Sequence, residues 1–225
     1  MTFSIAGRCV RTGALGVAIT SSSPAVAARC AFVWAGVGAV TTQNVTDPRL
    51  GPELLTRLGA GESVAEAMAA TAAGAQFAEH RQLTAVDAAG DSACFTGDRA
   101  LGRHAARSGQ NCVAAGNLLH DETVVAAVVG GFESDPSLPL EQRLVGALAA
   151  GLAAGGEAGP LHSAGLLVAG IVAWPVTDLR VDWHDDPIAE LQRLWELWQP
   201  QRDDYVTRAL DPTRAPGYGV PGDER

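Results

Sequence analysis

Thr2 puts a hydroxyl directly after Met1, in the run Met1-Thr2-Phe3-Ser4-Ile5. Thr is small enough for methionine aminopeptidase to accept a Met-Thr bond, so removal of Met1 is expected. Thr2 would then carry a hydroxyl and a free α-amino group on one residue. An unperturbed α-amino group has a pKa of about 7.7–8.0 and is partly neutral at cell pH. It can take the hydroxyl proton directly or through a water, which makes a complete nucleophile–base unit. The same residues also fit a strand that only pairs into a sheet.

Other chemistries lack their residues. All 16 basic residues are Arg and Lys is absent, which removes Schiff bases, phosphate-loop lysines and Ser–Lys pairs. No G-x-S-x-G elbow occurs; the nearest run, Ser21-Ser22-Ser23, lacks the glycines. Cys9, Cys30, Cys94 and Cys112 form no C-x-x-C and sit in apolar contexts, as small buried hydrophobes do. The five histidines form no H-E-x-x-H, and no metal or cofactor is expected. Trp183-His184-Asp185-Asp186 has a metal-like mix, but Asp186 before Pro187 is better explained as a helix cap.

The elements that would position Thr2 follow from the alternation of apolar and polar residues. Phe3 and Ile5 alternate with Thr2, Ser4 and Ala6 as a strand over 2–8. Leu15, Val17 and Ile19 share one face of a second strand, 15–21. The two make an antiparallel hairpin, with Thr2 expected at the edge of a cleft. Gly16, Ala18 and Thr20 on the other face predict close packing against a neighbour. A third strand is expected over 32–43, a helix over 53–58, and an Ala-rich helix from a Ser63/Glu66 capping box to Gly74. A hairpin at 82–96, a strand ending at Gly116-Asn117, helices over 123–132 and 140–154, strands at 163–172 and 179–181, and a helix from Asp186 to Pro200 complete the domain. Hairpins separated by helical pairs give an α+β layout, a four-layer α-β-β-α sandwich of antiparallel sheets. Residues 1–200 form one domain, and 201–225, rich in Pro, Gly, Asp and Arg, read as a flexible tail.

The net charge of −9 argues against a nucleic-acid partner. No apolar run reaches the roughly 18 residues of a membrane span, and the start lacks the basic and apolar regions of a signal peptide. A cytoplasmic protein is expected, with a small-molecule substrate, no membrane partner, and self-association into a homo-oligomer.

Several stretches together resemble a known family. They are Thr2-Phe3-Ser4-Ile5, Gly13-x-Leu15-Gly16-Val17-Ala18-Ile19, Ala35 to Gln43, Arg81-Gln82-Leu83, Gly116-Asn117-Leu118-Leu119, Ser163-Ala164, and Asp178 to Leu191. In order and spacing they are similar to domain-of-unknown-function family 1028 over roughly residues 2–198. The resemblance implies the N-terminal-nucleophile (Ntn) hydrolase-like fold, whose wider superfamily cleaves amide bonds with an N-terminal Thr, Ser or Cys. Threonine members of that superfamily commonly hold a Lys near the nucleophile; here Arg29 is the available substitute. It would lower the amine pKa or fork a substrate carboxylate, or else make a surface ion pair. Asn117, straight after a strand, would donate to an oxyanion, or simply form a Gly-Asn turn. Ser4, Ser21 and Ser163 would orient the α-amino group. Gln43 and Asn44 would line the pocket, and Asp182 would pair with the ammonium or with Arg29. His184 joins Gln43, Asn44, Ser163 and Asp182 in the substrate-binding set.

The leading expectation is an Ntn-type amidohydrolase acting on a small amide or related C–N bond, with Thr2, Asn117, Ser21 and Arg29 as the catalytic set. Two alternatives stand beside it. One is a non-catalytic binding or assembly protein on the same fold. The other is an enamine or imine deaminase that uses the cleft without an acyl-enzyme.

Overall fold

The computed structural model describes residues 1–222. The chain runs β1 (Thr2–Arg8), β2 (Leu15–Ser21), a one-turn helix α1 (Ala27–Cys30), β3 (Ala31–Trp34), β4 (Gly38–Asn44), α2 (Leu50–Gly59) and α3 (Val64–Gly74). It continues β5 (Arg81–Asp87), β6 (Ser92–Thr96), β7 (Ala105–Gly109), β8 (Cys112–Asn117), α4 (Thr123–Glu133) and α5 (Leu140–Ala153). Last come β9 (Ser163–Ala169), β10 (Pro175–Val181), α6 (Pro187–Trp198) and α7 (Arg202–Leu210).

Among the described residues, ten strands build two antiparallel sheets. One has the order β10-β9-β2-β1-β8-β7, the other β3-β4-β5-β6. The period-2 alternation of β1 and β2 decides what each sheet face meets. Phe3, Ile5 and Ala18 point outward into a core with Val128, Phe132, Leu144 and Leu148 of α4 and α5. Ala6, Leu15, Val17 and Ile19 point inward onto Val33, Ala39 and Val86 of the second sheet. That sheet turns Val40, Leu83 and Ala85 outward onto Leu54, Leu55 and Met68 of α2 and α3. The result is the expected four-layer α-β-β-α sandwich of antiparallel sheets.

Local signals held where their chemistry is local. β1 and β2 pair antiparallel over the expected residues, Thr2 opposite Ser21 and Arg8 opposite Leu15. The neighbour predicted at the small-residue face is α5: a Cβ on Gly16 would sit 2.7 Å from Leu144 Cδ1. Ser63 and Glu66 form the capping box, with backbone-to-side-chain bonds of 3.3 and 3.1 Å. Asp186 caps α6 by accepting from Ala189 N at 3.3 Å.

Three expectations need correction. The single strand over 32–43 is a hairpin of β3 and β4, turned at Gly36, whose φ of +71° suits glycine. β7 was not foreseen, because Ala-Ala-Arg-Ser-Gly has no β-branched or aromatic residue. The expected tail carries α7, which is tied to the domain through side chains rather than an apolar stripe. Arg202 meets the buried Glu141 of α5 at 2.8 Å, and Tyr205 lies 5.0 Å from the Trp198 ring. The end of the expected tail, 223–225, lies outside the described residues. Among the described residues no helix is long and apolar enough to cross a membrane.

Candidate active site

Four strand ends bring four polar residues into one row. Thr2 is opposite Ser21 on β2 and opposite Asn117 on β8, and Ser21 is opposite Ser163 on β9. Directly opposed residues project to the same face of a sheet. Ser4, two residues along that face, donates to Gln43 Oε1 of the other sheet at 2.7 Å. The row Ser163–Ser21–Thr2–Asn117 therefore faces the gap between the sheets, at one end of the sandwich. All four residues are buried. Thr2, only 6% exposed, lies beneath Met1 and not at the open cleft edge expected for it.

Hydroxyls crowd around the carbonyl of Met1. Thr2 Oγ1 donates to it at 2.5 Å, and Ser21 Oγ donates to it as well. The two hydroxyl oxygens are 3.2 Å apart. Ser21 Oγ also pairs with Ser23 Oγ at 2.9 Å. Arg29 joins this chain one step further out: Nη2 donates to Ser23 Oγ at 2.9 Å, while Nη1 donates to the carbonyls of Pro24 and Ala25. Its charge thus reaches Thr2 through two hydroxyls. Its guanidinium mainly holds the 23–25 turn, where Ala25 has a left-handed φ of +50°. Ser163 Oγ steadies the same turn, donating to Ser23 O at 2.6 Å and accepting from Val26 N.

On the other side of Thr2 a buried amide network spans the two sheets. Asn117 Nδ2 donates to Gln82 Oε1 at 3.2 Å, and Gln43 Nε2 donates to the same oxygen at 2.8 Å. Gln82 Nε2 donates in turn to Gly116 O and Thr96 Oγ1. Below it, Thr41 and Thr84 share a 2.6 Å hydroxyl pair. Buried as they are, such groups are tolerated because they satisfy one another.

Three expected substrate contacts lie elsewhere. Asn44 follows Gln43 on the strand and so turns to the other face. Its amide donates to His80 O at 2.6 Å and accepts from Leu101 N, which anchors a loop. Asp182 is exposed; its carboxylate acts on Arg180, and its carbonyl accepts from Ala25 N. His184 is also exposed, and its Nδ1 accepts from Asp186 N at the start of α6. Among the described residues no group of three or more His, Cys, Asp or Glu is placed to hold a metal. Of the thiols, Cys94 is exposed, against expectation; burial pushes the Cys112 thiol up to about 12, an inert state at neutral pH.

Glu157 was missed. It follows Gly155-Gly156, which reads in sequence only as a helix stop, and nothing local announces that it is buried. A bridge to Leu119 and a bond from Ala158 N to Leu118 O carry it under the end of β8. Its side chain is 6% exposed, Oε2 accepts from Ser22 N at 3.3 Å, and Oε1 has no protein partner. Burial pushes its carboxyl well above the ordinary carboxylate range, against the pull of the Met1 amine. Gln82 was passed over for a similar reason: an amide in an alternating strand carries no mark of the sheet it will face.

The raised Glu157 carboxyl has a consequence for stability. Between the unfolded value of about 4.3 and about 8 in the folded chain, the native state holds a proton that the unfolded state has released. Folding stability attributable to Glu157 therefore falls as pH rises through that window. Glu157→Gln, an isostere of the neutral acid, is expected to match the parent near pH 5 and to exceed it in melting temperature near pH 8. Thermal unfolding across that range checks this; parallel profiles for the two proteins would refute it.

A family model described as "Family of unknown function (DUF1028)" matches residues 2–191. A crystal structure of a Silicibacter pomeroyi protein ascribed to the same family is similar to this chain at 30% identity and a TM-score of 0.83, over 92% of this chain and 93% of that one. Anbu, an ancestral β-subunit from Yersinia bercovieri, aligns over 97% of this chain and 100% of its own at 11% identity and a TM-score of 0.39. No curated protein matches the chain.

Proposed function

The chain belongs to the family of unknown function DUF1028, and within it we propose an Ntn-type amidohydrolase that cleaves a small amide or related C–N bond with Thr2 as nucleophile. The observation that carries this reading is the row Ser21–Thr2–Asn117. It sets a hydroxyl 3.2 Å from Thr2 Oγ1 on one side and a side-chain amide in register on the other.

With Met1 gone, the Thr2 α-amine accepts the Oγ1 proton while Oγ1 attacks the substrate carbonyl carbon. Ser21, already bonded to the oxygens around Thr2, orients both groups. Asn117 has two amide hydrogens and gives one to Gln82, so the second is free for the oxyanion. As the C–N bond breaks, the amine proton passes to the leaving nitrogen, and an ester to Thr2 remains. Water, deprotonated by the same amine, hydrolyses the ester and restores the hydroxyl. Gln43 and Ser163 form the floor and wall of the site. No step needs a metal or cofactor, and a small cytoplasmic metabolite fits the reading.

Burial of Thr2 beneath Met1 favours the non-catalytic alternative if Met1 stays. The mass of the intact protein isolated from cells decides between them. We expect the form that begins at Thr2. Quantitative retention of Met1 would overturn the nucleophile reading and leave the family and fold untouched.

A further inference from the structure

Met1 lies at the end of the sandwich through which an acyl group would reach Thr2, and its three parts meet three features. Its carbonyl oxygen takes the hydroxyls of Thr2 and Ser21. Its thioether arm lies on Gly159, where a Cβ would come within 2.7 Å of the Met1 methyl carbon. Its amine lies near enough for its charge to pull against the burial of Glu157, without an ion pair between them. The carbonyl and the carboxylate are held by consecutive residues, Ser21 through Oγ and Ser22 through its amide.

Glu157 is more than nine-tenths buried, and its Oε1 has no partner. A buried carboxylate oxygen without a donor is costly. Glu157 and Gly159 also line a cavity of about 330 Å³ that continues outward past Leu161 and Asp186. Glu157 reaches the Thr2 row through Ser22, whose amide it accepts and whose neighbour Ser21 lies 3.2 Å from Thr2 Oγ1, so its orphaned oxygen is placed to take a donor from a ligand bound there.

Resting on the Thr2 reading, we infer that Glu157 binds an ammonium on the acyl side of the substrate, so that the amide cleaved is that of an α-amino acyl group whose side chain passes over Gly159. An ammonium at this point favours the ionised carboxylate, the direction in which the Met1 amine already pulls.

The test uses protein that begins at Thr2, released from a fusion cut directly before it. Methioninamide and N-acetylmethioninamide are titrated by calorimetry into the parent, Thr2→Ala and Glu157→Gln. The free amine should bind about ten- to a hundredfold more tightly than the acetylated one to the parent and to Thr2→Ala, as a charge-assisted bond implies. That preference should collapse in Glu157→Gln. Equal binding of the two ligands, no detectable binding of methioninamide, or a preference that survives Glu157→Gln would each overturn the inference. Gly159→Val gives a second arm if the Gln variant does not fold: it should weaken methioninamide and spare glycinamide, and equal effects on both would count against the inference. Ammonia release from the amide by the parent and not by Thr2→Ala tests the Thr2 reading separately, because the binding preference is read in the inactive variant too.

Discussion

Thr2→Ala is expected to abolish turnover, with a fall in kcat on the order of 10⁶ where the nucleophile acts with its base as one unit. Ala keeps the α-amine, so the loss isolates the hydroxyl. Ser21 Oγ is the nearest other hydroxyl, but it is engaged with Ser23 and has no amine of its own. Thr2→Ser keeps both reacting groups and loses one methyl, so it should retain measurable activity. The fold should survive all three states, because the backbone pairing of Thr2 with Ser21 and Asn117 does not depend on the side chain. Single-turnover kinetics and intact mass of trapped acyl-enzyme check the result. Normal turnover by Thr2→Ala would point instead to deamination without an acyl intermediate.

Asn117→Ala should lower kcat by about a hundred- to a thousandfold, the loss of about 2.7–4 kcal/mol typical of one oxyanion donor. KM should change little, since a donor aimed at the developing charge contributes mainly in the transition state. Removal of the amide also takes one donor from Gln82 Oε1, which keeps Gln43 Nε2. That leaves only about 1 kcal/mol of folding stability at stake, so urea unfolding separates the two effects. Rates that fall in step with stability, and no further, would return Asn117 to a structural role. A larger kcat loss in Gln82→Ala than in Asn117→Ala would move the oxyanion donor to Gln82.

Much of the candidate site's layout was legible in the sequence because its core is a matter of register. The β1 and β2 alternation and a short turn suffice to set Thr2 beside Ser21. Asn117 and Ser163 came close through the strand ends they mark. What failed depends on side chains that turn away or on chain that returns from afar. Asn44 was lost to the strict alternation that favours Gln43. Asp182 and His184 sit at the end of β10 and the start of α6, and serve backbone caps instead of a pocket. Glu157 arrives through a loop after two glycines, and burial of a loop carboxyl has no periodic signature. α7 escaped for the reason that it has no buried face at all; it is held by Arg202 and Tyr205 one contact at a time.

The gap between the two sheets is filled differently along its length. Toward one end Leu15, Val17, Val33 and Ala169 meet through aliphatic surfaces. Toward the other, Ser4, Gln43, Gln82 and Asn117 interlock by directional bonds. Aliphatic contact has no preferred direction, whereas a hydrogen bond is tied to a narrow range of distance and angle. The sandwich is thus keyed like a mortise joint at one end and free to settle at the other. Sequence drift should follow that asymmetry. Volume-conserving swaps among the aliphatic residues leave the keyed end in place, while any change among the four polar residues moves one sheet's alignment on the other, and with it Thr2.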